Sequence, residues 1–175
     1  MFLLVIPQNR FCEQQLVDIK GILEKNSVRC RVLSKSGKES KGEANTLFQP
    51  DGMLVDWNRF LQGRQKYDAV IVIGGKGAKS SIWDDPILPQ ILTDHVRAGK
   101  VVGAFGMSVV VLGRAGLIAR CEVSAPKDEA CLKELDQAGA FPGENHLVTT
   151  GRIITSNASD SGKAFGEKIL EILRD

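Results

Sequence analysis

Residues 2–6 form an unbroken apolar run, Phe2-Leu3-Leu4-Val5-Ile6, closed by Pro7. Residues 69–73 repeat the pattern, and so do residues 101–105. Runs this short, with no polar face, read as strands buried on both sides of a parallel sheet. Between them the apolar residues fall at helical spacing. Leu16, Ile19, Ile22 and Leu23 mark a helix over 13–25 that stops at Asn26. A second helix is expected over 85–98, with Asp85 as its N-cap, Pro86 at its first position and Gly99 as its stop. Strands that alternate with helices imply a mainly parallel sheet with helices on both faces. Such sheets bind ligands beyond the C-terminal ends of their strands, where strand order reverses. The loops 8–13, 74–78, 105–108 and 157–161 are therefore expected to converge.

The remaining segments complete the alternation. Val28, Cys30 and Val32 alternate with Arg29 and Arg31, which reads as a strand near the sheet edge. Residues 34–52 are polar and rich in Gly, Lys and Ser, with room for a small hairpin. A short helix with Trp57 and Phe60 is expected over 53–61. Residues 122–124 read as a short strand, and 127–138 as a helix stopped by Gly139. Two strands, 147–150 and 152–156, flank Gly151, and an amphipathic helix over 161–173 presents Phe165, Ile169, Leu170 and Ile172. There is no internal repeat, and one domain over 1–175 is expected.

A chain of 175 residues can bury roughly 70% of the surface exposed when unfolded. Its net charge of +2 is too small and too evenly spread to argue for nucleic acid or a membrane surface. The densest basic run, 35–41, reads as a solvated loop. No segment approaches the roughly 20 apolar residues of a membrane span. The opening run lacks the flanks of a signal peptide, so a cytoplasmic location is expected. Cys12, Cys30, Cys121 and Cys131 form no C-x-x-C pair and no zinc spacing. Four free thiols, no metal and no cofactor are expected.

The stretch from Gly99 to Ser108 carries the chemistry. A glycine stop is followed by a strand, an abrupt turn and an apolar helix from about Ser108 through Leu112. Such an elbow commonly presents a nucleophile at the top of an α/β sheet. Here its tip is Gly106, followed by Met107. Ser108 reads as the helix cap or as a nucleophile in an incomplete G-x-S-x-G, since Val110 replaces the second glycine. Gly74-Gly75-Lys76-Gly77 follows the third buried strand. It is either a plain turn or a nest of backbone N–H groups for an anion, and it matches neither the phosphate-loop nor the dinucleotide pattern. His95 is expected to lie away from the C-terminal edge, and His146 has no visible partner. Cys121 and Cys131 read as structural.

In their order and spacing, these pieces resemble the ThiJ/PfpI superfamily, which includes the DJ-one proteins, over nearly the full length. Residues 67–75 are similar to that family's Y-D-A-L-V-x-P-G-G, with Ile73 in place of the proline. Residues 98–105 resemble A-G-K-x-V-A-A-I, 115–118 resemble A-G-L-L, 124–126 resemble S-Y-P or T-H-P, and 154–157 resemble I-T-S-R. Gln49-Pro50-Asp51 fits its P-D segment. The resemblance implies a flavodoxin-like three-layer sandwich, usually a homodimer. It also implies a choice among amidase or peptidase, glyoxalase-like, chaperone and stress-protein roles.

Most of that family carries a reactive cysteine at the elbow in a pattern like A-I-C-H-G, with an acidic residue from F-E-D-x-E bonded to the thiol. Here the cysteine is Gly106 and the following histidine is Met107. Phe11-Cys12-Glu13-Gln14-Gln15 matches F-E-D-x-E with both glutamates replaced, by Cys12 and Gln15. Ala125 stands where some members have a histidine, and Asn157 where they have an arginine. Glycine supplies no thiolate, Met107 cannot exchange a proton, and Gln15 cannot titrate. The favoured expectation is a family member without cysteine chemistry that acts by binding a small molecule or protein. The alternatives are a hydrolase, amidase or glyoxalase-like enzyme using Cys12 or Ser108 with Glu13, and a redox sensor at Cys12.

Overall fold

The computed structural model of the chain describes residues 1–158 and 160–175. The first apolar run forms β1 (Phe2–Val5), followed by β2 (Asn9–Phe11), α1 (Glu13–Lys25) and β3 (Cys30–Ser34). The polar stretch contains β4 (Ser40–Gly42), β5 (Leu47–Phe48) and β6 (Gly52–Met53). Then come β7 (Ala69–Val72), α2 (Ala78–Ser81), α3 (Leu88–Arg97), β8 (Val101–Phe105) and α4 (Val109–Arg114). The chain closes with β9 (Glu122–Val123), α5 (Glu129–Gln137), β10 (Phe141–Pro142), β11 (Leu147–Thr150), β12 (Ile153–Ser156) and α6 (Gly162–Arg174).

Seven strands make one sheet in the order β11-β12-β8-β7-β1-β3-β6. Every neighbouring pair in it is parallel except β11 with β12, which are antiparallel. Strand periodicity sorts the side chains into two cores. Leu3, Val5, Val70, Val72, Val102 and Ala104 point to the face covered by α2, α3, α4 and α5. Phe2, Leu4, Ala69, Ile71, Val101 and Phe105 point to the face covered by α1 and α6. Both sets are almost wholly buried, which is why these strands lack a polar face in sequence. The result is the three-layer, flavodoxin-like α/β sandwich expected.

Some local expectations are corrected. The helix expected from Asp85 begins at Leu88, and the proline of its first turn is Pro89, not Pro86. The N-cap is Ile87 and not Asp85; Asp85 lies two residues earlier, where its Oδ1 accepts from the N–H groups of Ile87 and Leu88, both at 2.9 Å. The helix expected over 53–61 is a 3₁₀ segment, Leu54–Phe60, broken at Asp56. The hairpin within 34–52 is present as antiparallel β4 and β5, but it pairs with β2 in a separate three-stranded sheet. The two-residue strands β9 and β10 pair with each other, outside the main sheet. Neither β2, β10 nor α2 carries a pattern long enough to read.

Candidate functional site

Parallel strands end together, so β7, β8 and β12 deliver their loops to one edge. The expected convergence is present. Cys12 N–H donates to the Gly74 carbonyl at 2.9 Å, and Gly77 N–H donates to the Arg10 carbonyl at 3.3 Å. The last residue of β12, Ser156, stands in register with Phe105, the last of β8. Ser159, within the expected loop 157–161, lies outside the described residues.

Gly106 opens a 3₁₀ turn, Gly106–Ser108, that leads into α4. Its φ is +53°, in the left-handed region that side-chain-bearing residues enter at a cost. A Cβ built there would meet no atom within 4 Å beyond its chain neighbours. The bend thus keeps the left-handed backbone of an elbow, which glycine adopts without strain, with open space where a side chain would project. Trp83 braces the bend from beneath, its indole N–H donating to the Met107 carbonyl at 2.7 Å. The Lys79 ammonium and the Arg114 guanidinium lie 5.7 and 5.6 Å from the Trp83 ring. No sequence motif marks Trp83 for this role.

Ser108 does not cap α4 with its side chain. It is fully buried, and its hydroxyl donates to the Ile73 carbonyl at 2.8 Å. That bond ties the elbow to the end of β7 and leaves the oxygen out of solvent. Gln15 is also buried and joins three segments. Its Oε1 accepts from Gly74 N–H at 2.9 Å, and its Nε2 donates to the Ala158 carbonyl at 3.4 Å. Both ends of the amide are used in holding loops together, work that its neutral chemistry suits.

Cys12 precedes α1 as its N-cap and is buried. Burial pushes its thiol pKa up, against the backbone N–H groups of Gln15 and Gln14, while Glu43 and Glu13 raise it further. An activated nucleophile needs the opposite shift. Glu13 is committed elsewhere: its Oε1 accepts from Ala44 N–H at 2.8 Å and from Thr46 N–H at 3.4 Å, in the β4–β5 turn.

The glycine loop is explained by close approach. A Cβ on Gly75 would lie 2.2 Å from the Arg10 carbonyl oxygen, and one on Gly77 would lie 1.6 Å from that of Asn9. Three of its four N–H groups donate within the protein: Gly74 to Gln15, Lys76 to Glu43 Oε1 at 2.6 Å, and Gly77 to Arg10. Those donors are not free for an anion, so the geometry favours the plain-turn reading.

The sequence shows no partner for His146, but the fold supplies one. His146 Nδ1 lies 2.9 Å from Asn157 Oδ1, and Asn157 Nδ2 donates to the Ala125 carbonyl at 3.4 Å. Asn157 N–H donates to Ser124 Oγ at 3.1 Å. The pairing arises because β11 and β12 are antiparallel, which sets residue 146 opposite residue 157. His95 is where it was expected, buried beneath the 3₁₀ segment and away from this edge. Among the described residues no group of three or more His, Cys, Asp or Glu could hold a metal ion. All four cysteines are free thiols.

A family model described as the DJ-1/PfpI family matches residues 2–172. An uncharacterised protein of Methanocaldococcus jannaschii is 26% identical over 171 residues, covering 98% of this chain and 81% of its own. The glutathione-independent glyoxalase DJR-1.2 of Caenorhabditis elegans is 23% identical over 98% of this chain and 87% of its own. The crystal structure of a ThiJ/PfpI domain protein from Brachyspira murdochii superposes with a TM-score of 0.85 at 22% identity, covering 99% of this chain and 95% of that one. Oxidized DJ-1 from Toxoplasma gondii superposes with a TM-score of 0.75 at 23% identity, over 98% and 90% of the two chains.

Proposed function

The chain belongs to the DJ-1/PfpI family, and we propose that it acts there by binding a small molecule or protein, without cysteine-dependent catalysis. The observation that carries this reading is the bend at Gly106: φ is +53°, space is open above it, and no thiol is present. The groups around it support the same reading. Gln15 replaces a titratable side chain and is occupied by Gly74 and Ala158. Cys12 is buried with a raised pKa, and Ser108 is buried against Ile73. The proposal includes one domain over 1–175, a homodimer and a cytoplasmic location. The last fits four free cysteines and the absence, among the described residues, of a helix long and apolar enough to cross a membrane.

The competing reading is an enzyme with a relocated nucleophile, favoured by the glyoxalase among the relatives. Methylglyoxal consumption by the unaltered chain and by Cys12→Ser and Ser108→Ala separates the two. The proposal expects no turnover above buffer in any of them. Turnover in the unaltered chain that either substitution abolishes would replace it with the enzymatic reading.

A further inference from the structure

The inner face of α1 packs against the sheet and α6, with Leu16, Ile19, Ile22 and Leu23 buried. Its outer face carries Gln14, Val17, Gly21, Glu24 and Lys25. Val17 stands out among them, apolar and 63% exposed. The β4–β5 hairpin runs beside this face. Glu13 Oε1 accepts from Thr46 N–H at 3.4 Å, and one residue pair further on the Lys20 ammonium lies 5.2 Å from the centroid of the Phe48 ring. Leu47, between these two anchors, is 59% exposed and continues the apolar surface that Val17 begins.

Gly21 supplies the second, independent observation. Glycine inside a helix is destabilising relative to alanine, and nothing in the chain requires it here. A Cβ built on Gly21 would meet no atom within 4 Å beyond the helix's own backbone. Gly166 of α6 is the contrast: a Cβ there would lie 3.1 Å from Ile22 Cδ1 of α1. The notch at Gly21 therefore faces outward, one helical turn from the exposed Val17, and i, i+4 residues are neighbours on a helix surface.

A projection and a notch on one helix face are complementary to the same face of a second copy. In a two-fold contact, residue i meets residue j and j meets i. Two antiparallel α1 helices crossing midway between these positions seat each Val17 in the partner's Gly21, where the missing side chain lets the helices approach closely. The same register sets Gln14 against the partner's Glu24 and Glu13 against the partner's Lys25. The first turn of α1 is acidic at Glu13 and the last is basic at Lys25, so opposite charges meet at both ends. Among the described residues neither Glu13 nor Lys25 belongs to an ion pair within the chain.

We propose that the outer face of α1, with Leu47 beside it, is the two-fold interface between two copies of this chain. This interface rests on the homodimer proposed above and says where its axis passes.

Sedimentation equilibrium of the full chain tests it. The unaltered chain is expected at about twice 19.0 kDa. Val17→Glu places two like charges beside the axis, and Gly21→Gln fills the notch. Each is expected to raise the dimer dissociation constant roughly tenfold or more. Glutamine is a better helix former than glycine, so Gly21→Gln keeps the test valid even if Val17→Glu disturbs folding. Dimers of unchanged affinity in Gly21→Gln would overturn this interface and leave the homodimer to another face. A single-chain mass for the unaltered protein at every concentration would overturn the interface and the homodimer together.

Discussion

Two glycines of the same strand-and-turn segment are required for different reasons. Gly103 lies in β8, where a Cβ would sit 2.5 Å from Phe165 Cζ. It is glycine because Phe165 stacks on Phe105 with ring centroids 4.0 Å apart. Gly106 has no such neighbour, only a positive φ. Gly103→Ala is expected to cost about 1–3 kcal/mol by overpacking, with part recovered in Gly103→Ala/Phe165→Leu. Gly106→Ala is expected to cost about 1–2 kcal/mol through its backbone alone, with no recovery on pairing with Phe165→Leu. Denaturant unfolding of the two double-mutant cycles measures both couplings. The glycine at the elbow was legible in the sequence. Its φ and the free space above it were not, because they depend on segments that meet only in the fold.

The interior strands are legible in the sequence because burial on both faces leaves an unbroken apolar run, as in β1 and β7. What escaped was short and tertiary in origin. The indole of Trp83 and the pairing of His146 with Asn157 depend on elements distant in sequence. His95 shows how such a contact yields a pH dependence. Its Nε2 accepts from Tyr67 N–H at 3.2 Å, so the proton sits on Nδ1, which donates to the Ile91 carbonyl at 2.6 Å. Both nitrogens are used by the neutral ring. Burial lowers its pKa below the ordinary 6.5, the Ile91 carbonyl and Asp94 oppose this, and Lys66 and Lys100 add to it.

Below pH 6.5 the unfolded imidazole therefore takes a proton that the folded one refuses, and stability falls as pH drops from there toward the folded pKa. Asp68 acts in a different window. Burial works against its carboxylate, but the N-terminal ammonium and Lys100 hold its pKa below the ordinary 3.8. The stability it contributes is lost only as pH falls below that value. Thermal unfolding from pH 7 to 5 is expected to show a falling Tm in the unaltered chain and a flatter profile in His95→Gln. Equal slopes in the two would remove His95 as the cause.

For the whole molecule, the sequence motifs were enough to indicate a family that the match over residues 2–172 shows. The role is less legible, because the departures fall on the residues that do chemistry in the resemblance while the scaffold around them stays in place. A homodimer is expected, and light scattering is expected to give about twice the 19.0 kDa chain mass; a mass of one chain would remove that expectation.

If the elbow is unreactive, no thiol elsewhere in this protein takes over the role of the one missing from the bend. Iodoacetamide labelling at pH 7, followed residue by residue by mass spectrometry, decides this. Cys12, Cys30, Cys121 and Cys131 are all expected to react no faster than glutathione, with Cys12 and the buried Cys131, whose pKa burial pushes up to about 12, among the slowest. Labelling of Cys12 at least tenfold faster than glutathione would contradict it.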